Sequence, residues 1–226
     1  LVQENHIHHC YACKGIWIDF QNRNSRVCRN LIHDISCYHG AIFFEASNVL
    51  NLIDHNIVYR VQGSGIYQHD CDQLLIAHNL VGNCSNAGIQ MLKTKGRDRV
   101  GFGRHNKVIN NVITDCKKPL DYFDLENISD KNIFSGVGED FNLEKLQIKN
   151  LDIHSRIIDL QISIDPKNQN FSWSSKTNEI LKVSSHKLLK LDYFGRLYPD
   201  SEVSVGPFTE GWSQTRRQLE LLSSKP

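Results

Sequence analysis

Short apolar runs recur along the chain in a fixed polar frame. Asn5-His-Ile-His-His-Cys10 returns as Asn30-Leu-Ile-His-Asp-Ile35, Asn56-Ile-Val-Tyr-Arg-Val61, Asn79-Leu-Val-Gly-Asn-Cys84 and Asn111-Val-Ile-Thr-Asp-Cys116, with a degenerate copy at Asn132-Ile-Phe134. The intervals between these asparagines are 25, 26, 23, 32 and 21 residues. Each repeat holds a second apolar segment: Gly15-Ile-Trp-Ile-Asp19, Ala41-Ile-Phe-Phe-Glu45, Gly65-Ile-Tyr-Gln-His69, Gly88-Ile-Gln-Met-Leu92 and Pro119-Leu-Asp-Tyr-Phe123. A third precedes each asparagine, as in Arg26-Val-Cys, Leu52-Ile-Asp, Leu75-Ile-Ala and Lys107-Val-Ile. Three short β-type segments per repeat predict an all-β fold, a right-handed parallel β-helix whose coils stack. A leucine-rich repeat would need leucines at fixed offsets and a helical segment, and the chain has neither. The recurring asparagine suits a ladder of side-chain amides bonded between coils. Cys10, Ile35, Val61, Cys84 and Cys116, five residues after their asparagines, form a predicted buried stack.

The 32-residue interval contains an insert, Lys93 to His105, whose Gly and Arg content reads as a solvated loop, with contact to an anionic ligand or another subunit as the alternative. After residue 138 the asparagines stop and β-type alternation continues, in Leu146-Gln-Ile-Lys, Ile158 to Ile164 and Ile180-Leu-Lys-Val-Ser. The division is therefore residues 1–138 as coils and 139–226 as a small β-rich cap or sandwich on the open end, with Arg216 to Leu222 as a short closing helix.

Composition narrows the class. Of 226 residues, 40% are hydrophobic and 23% charged, the net charge is +1, and disorder, collagen and coiled coil are excluded. That charge gives no footprint for nucleic acid or an anionic membrane, and no run approaches the ~18 apolar residues of a membrane span. Seven cysteines, an odd number with none in the last 110 residues, read as reduced thiols of a cytoplasmic protein rather than a disulfide framework. Cys10-x-x-Cys13 has no second pair to complete a metal site, and His6, His8 and His9 read as a surface turn in preference to a metal site, so no metal or cofactor is expected. The start at Leu1, directly before the first repeat, reads as a truncated chain, and an open end invites homo-oligomers.

Candidate chemistry lies in the second segment. Strand alternation sends Ile16, Ile42, Ile66, Ile89 and Leu120 inward, together with Ile18, Phe44, Gln68, Met91 and Tyr122. Outward stand Trp17, Phe43, Tyr67, Gln90 and Asp121, and beside them Asp19, Glu45, His69, Leu92 and Phe123. Asp19 and Glu45 thus fall on adjacent coils, ~4.8 Å apart as strands pair. Two carboxyls ~5–5.5 Å apart are what a retaining glycosidase uses as nucleophile and acid/base, and their mutual repulsion keeps one protonated. Trp17, Phe43 and Tyr67 suit the apolar face of a sugar, and His69 adjoins Glu45. A charged, aromatic outer face without catalysis is the alternative.

Cys13-Lys-Gly-Ile-Trp-Ile-Asp-Phe20, Arg26-Val-Cys-Arg-Asn-Leu31, Ile42-Phe-Phe-Glu-Ala46, Asp54-His-Asn-Ile57, Asp192-Tyr-Phe-Gly-Arg196 and Val205-Gly-Pro-Phe208 resemble glycoside hydrolase family 120, in its C-terminal part. The resemblance implies a β-xylosidase on a right-handed parallel β-helix, working by retaining double displacement on oligosaccharides. It assigns the nucleophile to Asp19 and the general acid/base to Glu45, with Trp17 beside the nucleophile; Phe43, Tyr67 and His69 are substrate-binding candidates from the column pattern. Two other classes stay open: a polysaccharide lyase or epimerase, for which the columns beside Asp19 and Glu45 offer no Arg or Lys, and a carbohydrate-binding or structural solenoid without catalysis.

Overall fold

The computed structural model describes residues 1–94, 101–122, 126–168, 170–175, 181–199, 201–208 and 217–218. The chain is nearly all β and winds as a parallel β-solenoid of about six turns. Its first face is a six-stranded parallel sheet with one strand per coil: Val2–Gln3, Arg26–Cys28, Asn51–Asp54, Leu74–Ala77, Lys107–Ile109 and Ile128–Asp130. The second face stacks His6–Tyr11, the first halves of the long strands Leu31–Glu45 and Ile57–His69, then Leu80–Cys84, Val112–Thr114 and Ile133–Ser135. The third stacks Ile16–Ile18, the second halves of the two long strands, Ala87–Leu92 and Lys118–Tyr122.

The corners explain the asparagines. The residue before each one, Glu4, Arg29, His55, His78, Asn110 and Lys131, sits in the left-handed region with φ of 54–59°. A non-glycine residue there costs about 1–2 kcal/mol, and the ladder offsets it. Asn30 donates its backbone N–H and its amide to Asn56 Oδ1 at 3.1 and 2.9 Å. The same paired contact runs from Asn5 to Asn30, Asn56 to Asn79, Asn79 to Asn111 and Asn111 to Asn132. At the far end Ser155 Oγ and Asp152 Oδ1 take over as acceptors from Asn132. A shorter ladder on another corner, Asn106 to Asn127, has no counterpart in the sequence reading. Inside, Ile35, Val61, Cys84 and Cys116 stack as expected among Ile16, Ile42, Ile66, Ile89, Phe44 and Met91. All seven cysteines are free thiols.

The C-terminal region departs from the expected end cap. The open end is closed by Val137, Phe141 and Leu143, which pack on the core just before and within the short helix Leu143–Gln147. Parallel pairing runs past residue 138, since Arg156–Ile157 adds a rung to Ile133–Phe134. The rest lies along the flank. Leu31, Ile57, Leu80, Val112 and Ile133, the outward residues that follow the ladder asparagines, are buried against Leu160, Phe171, Val183, Tyr193, Tyr198, Val205 and Phe208. Five apolar side chains in a row on the outer surface form a stripe that water disfavours at about 1.5–3 kcal/mol each, and this stripe sets where the flank docks. Of the expected closing helix only Arg217–Gln218 is described, and it is a strand paired with Asn170–Phe171. Among the described residues no helix is long and apolar enough to cross a membrane.

Candidate active site

The pairing register on the third face matches the expected columns rung for rung. Trp17 faces Phe43 and Phe43 faces Tyr67; Ile18 faces Phe44; Glu45 faces His69. Asp19 follows the last paired residue of its strand, and Gln21 N–H donates to Ala46 C=O at 2.9 Å just beyond it. These contacts bracket Asp19 on the coil next to that of Glu45. Asp19 is exposed, whereas the Glu45 side chain is 13% exposed. Phe123 lies outside the described residues.

Glu45 belongs to a buried polar chain. Its Oε1 lies 3.4 Å from His69 Nε2, and His69 Nδ1 lies 3.0 Å from Asp70 Oδ2. Asp70 is buried in a left-handed corner, and its other oxygen accepts from Thr94 N–H at 2.7 Å. The described parts of the 93–105 insert are held by carboxylates: Asp72 accepts from Phe102 and Arg104 N–H at 2.9 and 3.0 Å. The insert thus returns to the coil beside the site and is tied there.

The aromatic column divides into support and surface. Trp17 and Phe43 stack with centroids 5.8 Å apart and planes within 13°. Phe43 is 1% exposed and Tyr67 6%, so both back the site; Trp17, at 49%, is the ring open to solvent. Burial, reinforced by Asp70, pushes the Tyr67 hydroxyl up to about 12, which keeps it a neutral donor.

Two side chains absent from the columns enter from the corner between the second and third faces. His39 stacks on Phe43 at 5.0 Å, lies 5.1 Å from Tyr67 and meets the His69 ring edge-on at 6.4 Å. Burial first, then Lys14 and His69, hold its imidazole below the ordinary range and favour the neutral form. Lys14 places Nζ 4.4 Å from the Trp17 centroid and 5.6 Å from that of Phe43. The columns beside Asp19 and Glu45 hold no Arg or Lys, and the basic group at the aromatic column comes from the corner. A register shift between Ser36 and Gly40 makes the room. Spacing carries the signal. Seven residues separate Ile35 from Ile42 and six separate Cys10 from Ile16, but five separate Val61 from Ile66 and Cys84 from Ile89. The surplus holds Lys14, Tyr38 and His39.

The four histidines of the first coils form a separate cluster on the second face. His6 and His33 approach with Nε2 atoms 2.7 Å apart, and His8 stacks on His33 at 5.2 Å. Among the described residues no group of His, Cys, Asp or Glu has the geometry to hold a metal ion.

Fold and side chains together define a parallel β-solenoid bearing two carboxylates beside an aromatic and imidazole cluster. Among solved structures the chain is similar to XylC, described in complex with xylose, with a TM-score of 0.64 and 16% identity over 96% of this chain and 42% of XylC. The chain spans less than half the length of XylC, and at that identity the likeness is one of fold. No protein-family profile and no curated protein matches the sequence.

Proposed function

We propose that this chain carries the site of a glycoside hydrolase that cleaves short oligosaccharides, β-xylosides first among them, with retention of configuration. The observation that supports the reading is the pairing of Trp17 with Phe43 and Ile18 with Phe44, which leaves Asp19 one residue past the last rung on the coil next to Glu45, beside an exposed tryptophan. A rung of ~4.8 Å suits the ~5–5.5 Å carboxyl separation of double displacement. Asp19, exposed, attacks the anomeric carbon and the glycosidic oxygen leaves with the proton of Glu45. Glu45, enclosed by His69 and the aromatic cluster, then takes a proton from the water that releases the sugar from Asp19. His69, held between Glu45 and Asp70, orients the acid/base. The likeness in fold to a protein seen with xylose supports the sugar class.

Glu45→Gln tests the assignment. Turnover of a natural xylobioside falls by about 10²–10⁴-fold, and azide restores the rate only on substrates with activated leaving groups. A Glu45→Gln protein with the parental rate on xylobiose would overturn it.

A further inference from the structure

Lys14 has a position that a neutral sugar does not explain. Its ammonium covers the ring of the Trp17, Phe43 and Tyr67 column that is open to solvent, 4.4 Å from the Trp17 centroid. Among the described residues no carboxylate pairs with it, although the chain balances 26 basic against 25 acidic residues and its other site groups are acidic or imidazole. Cation–π attraction at an exposed ring contributes only about 0.5–1 kcal/mol, so it does not replace an ion-pair partner. Any sugar that stacks on Trp17 moves the ammonium off the ring face. A neutral sugar leaves the ammonium without a partner, whereas a sugar bearing a carboxylate holds it at the ring's edge in a charge-assisted contact. Trp17 precedes Asp19 by two strand positions, about 6.6 Å along the face, or roughly one sugar ring. The anionic group would then sit one ring away from the reacting carboxylates and avoid their charge.

We infer that the site recognises uronate-bearing oligosaccharides, with Lys14 as the carboxylate-binding residue and Trp17 as the platform of the same sugar. This rests on the proposed sugar site and narrows its substrate class.

The test compares a neutral xylo-oligosaccharide with the same oligosaccharide carrying one glucuronosyl group. Binding is measured by calorimetry and cleavage by product analysis, on the full chain and on Lys14→Met and Lys14→Arg. The acidic sugar is expected to bind at least about tenfold more tightly at low salt, as a hydrogen bond between charged partners gives. The preference should shrink as salt is raised, collapse toward parity in Lys14→Met and persist in Lys14→Arg. Parity in the parent chain, or a preference that survives Lys14→Met, overturns the inference. The two readings fail separately. Selective binding of the acidic sugar without cleavage keeps Lys14 as its receptor and removes the hydrolase. Equal cleavage of both sugars keeps the hydrolase and removes the role of Lys14, and binding of neither removes both. New absorbance near 235 nm, the signature of an unsaturated uronate, keeps carboxylate recognition and replaces hydrolysis by elimination.

Discussion

Single residues carry this fold to an unusual degree because each buried asparagine serves two coils. Asn79 Oδ1 accepts from the backbone and amide of Asn56, while its own amide donates to Ile53 C=O, Ala77 C=O and Asn111 Oδ1. Asn79→Ala leaves several of these groups buried without partners, each at about 1–3 kcal/mol. Stability should drop by about 3 kcal/mol or more, read as a lower denaturant midpoint at unchanged slope. Asn168→Ala, on an exposed turn, should stay within about 0.5 kcal/mol. The ladder was legible in the sequence because one residue type recurs at one register. Lys14 and His39 were not, because corner residues obey no alternation and their direction depends on how the surplus length bulges.

At the scale of elements, the bulge in Leu31–Glu45 builds the site. It requires Gly40: a Cβ there would lie 2.5 Å from the Tyr67 Cβ and 3.0 Å from its backbone nitrogen, atoms that cannot swing aside. Gly40→Ala should therefore cost about 1–3 kcal/mol as an overpacked core does. It should also push Tyr67 and His39 out of the cluster and weaken sugar binding. Gly138→Ala, where nothing lies within 4 Å, is the control expected to leave both stability and binding unchanged. A folded Gly40→Ala chain with parental affinity would show that the bulge does not shape the site. The strands of the C-terminal region were legible as strands, yet their docking was not, since alternation within Leu160–Asp165 says which face is apolar and not what it meets. The informative pattern lay elsewhere, in the outward apolar residue after each ladder asparagine from Asn30 to Asn132.

For the whole molecule, the seam between solenoid and flank is polar at its centre. His55 and His78 stack at 5.1 Å with parallel rings inside a left-handed corner. His55 Nδ1 lies 2.8 Å from Asp54 Oδ2, and its Nε2 bonds the Tyr198 hydroxyl of the flank. His78 Nδ1–H donates to Gly206 C=O at 3.1 Å and Nε2 accepts from Asn110 at 3.0 Å. Burial, reinforced by His55, pulls His78 down to about 3 from 6.5. The unfolded chain therefore binds a proton that the folded chain refuses. Stability contributed by the neutral ring is complete above about pH 6.5 and is lost as pH falls toward 3. Melting temperature should decline over that interval, with a shallower decline in His78→Gln. An equal decline in that variant would place the acid sensitivity elsewhere.

The central claim is that the stacked coils make Asp19 and Glu45 a working pair. Its most direct test is hydrolysis of p-nitrophenyl β-xyloside by the full chain and by Asp19→Asn, with NMR of the first sugar anomer formed. The expected result is release of β-xylose by the parent chain and none by the variant. Release of the α-anomer, or equal turnover by Asp19→Asn, would contradict it.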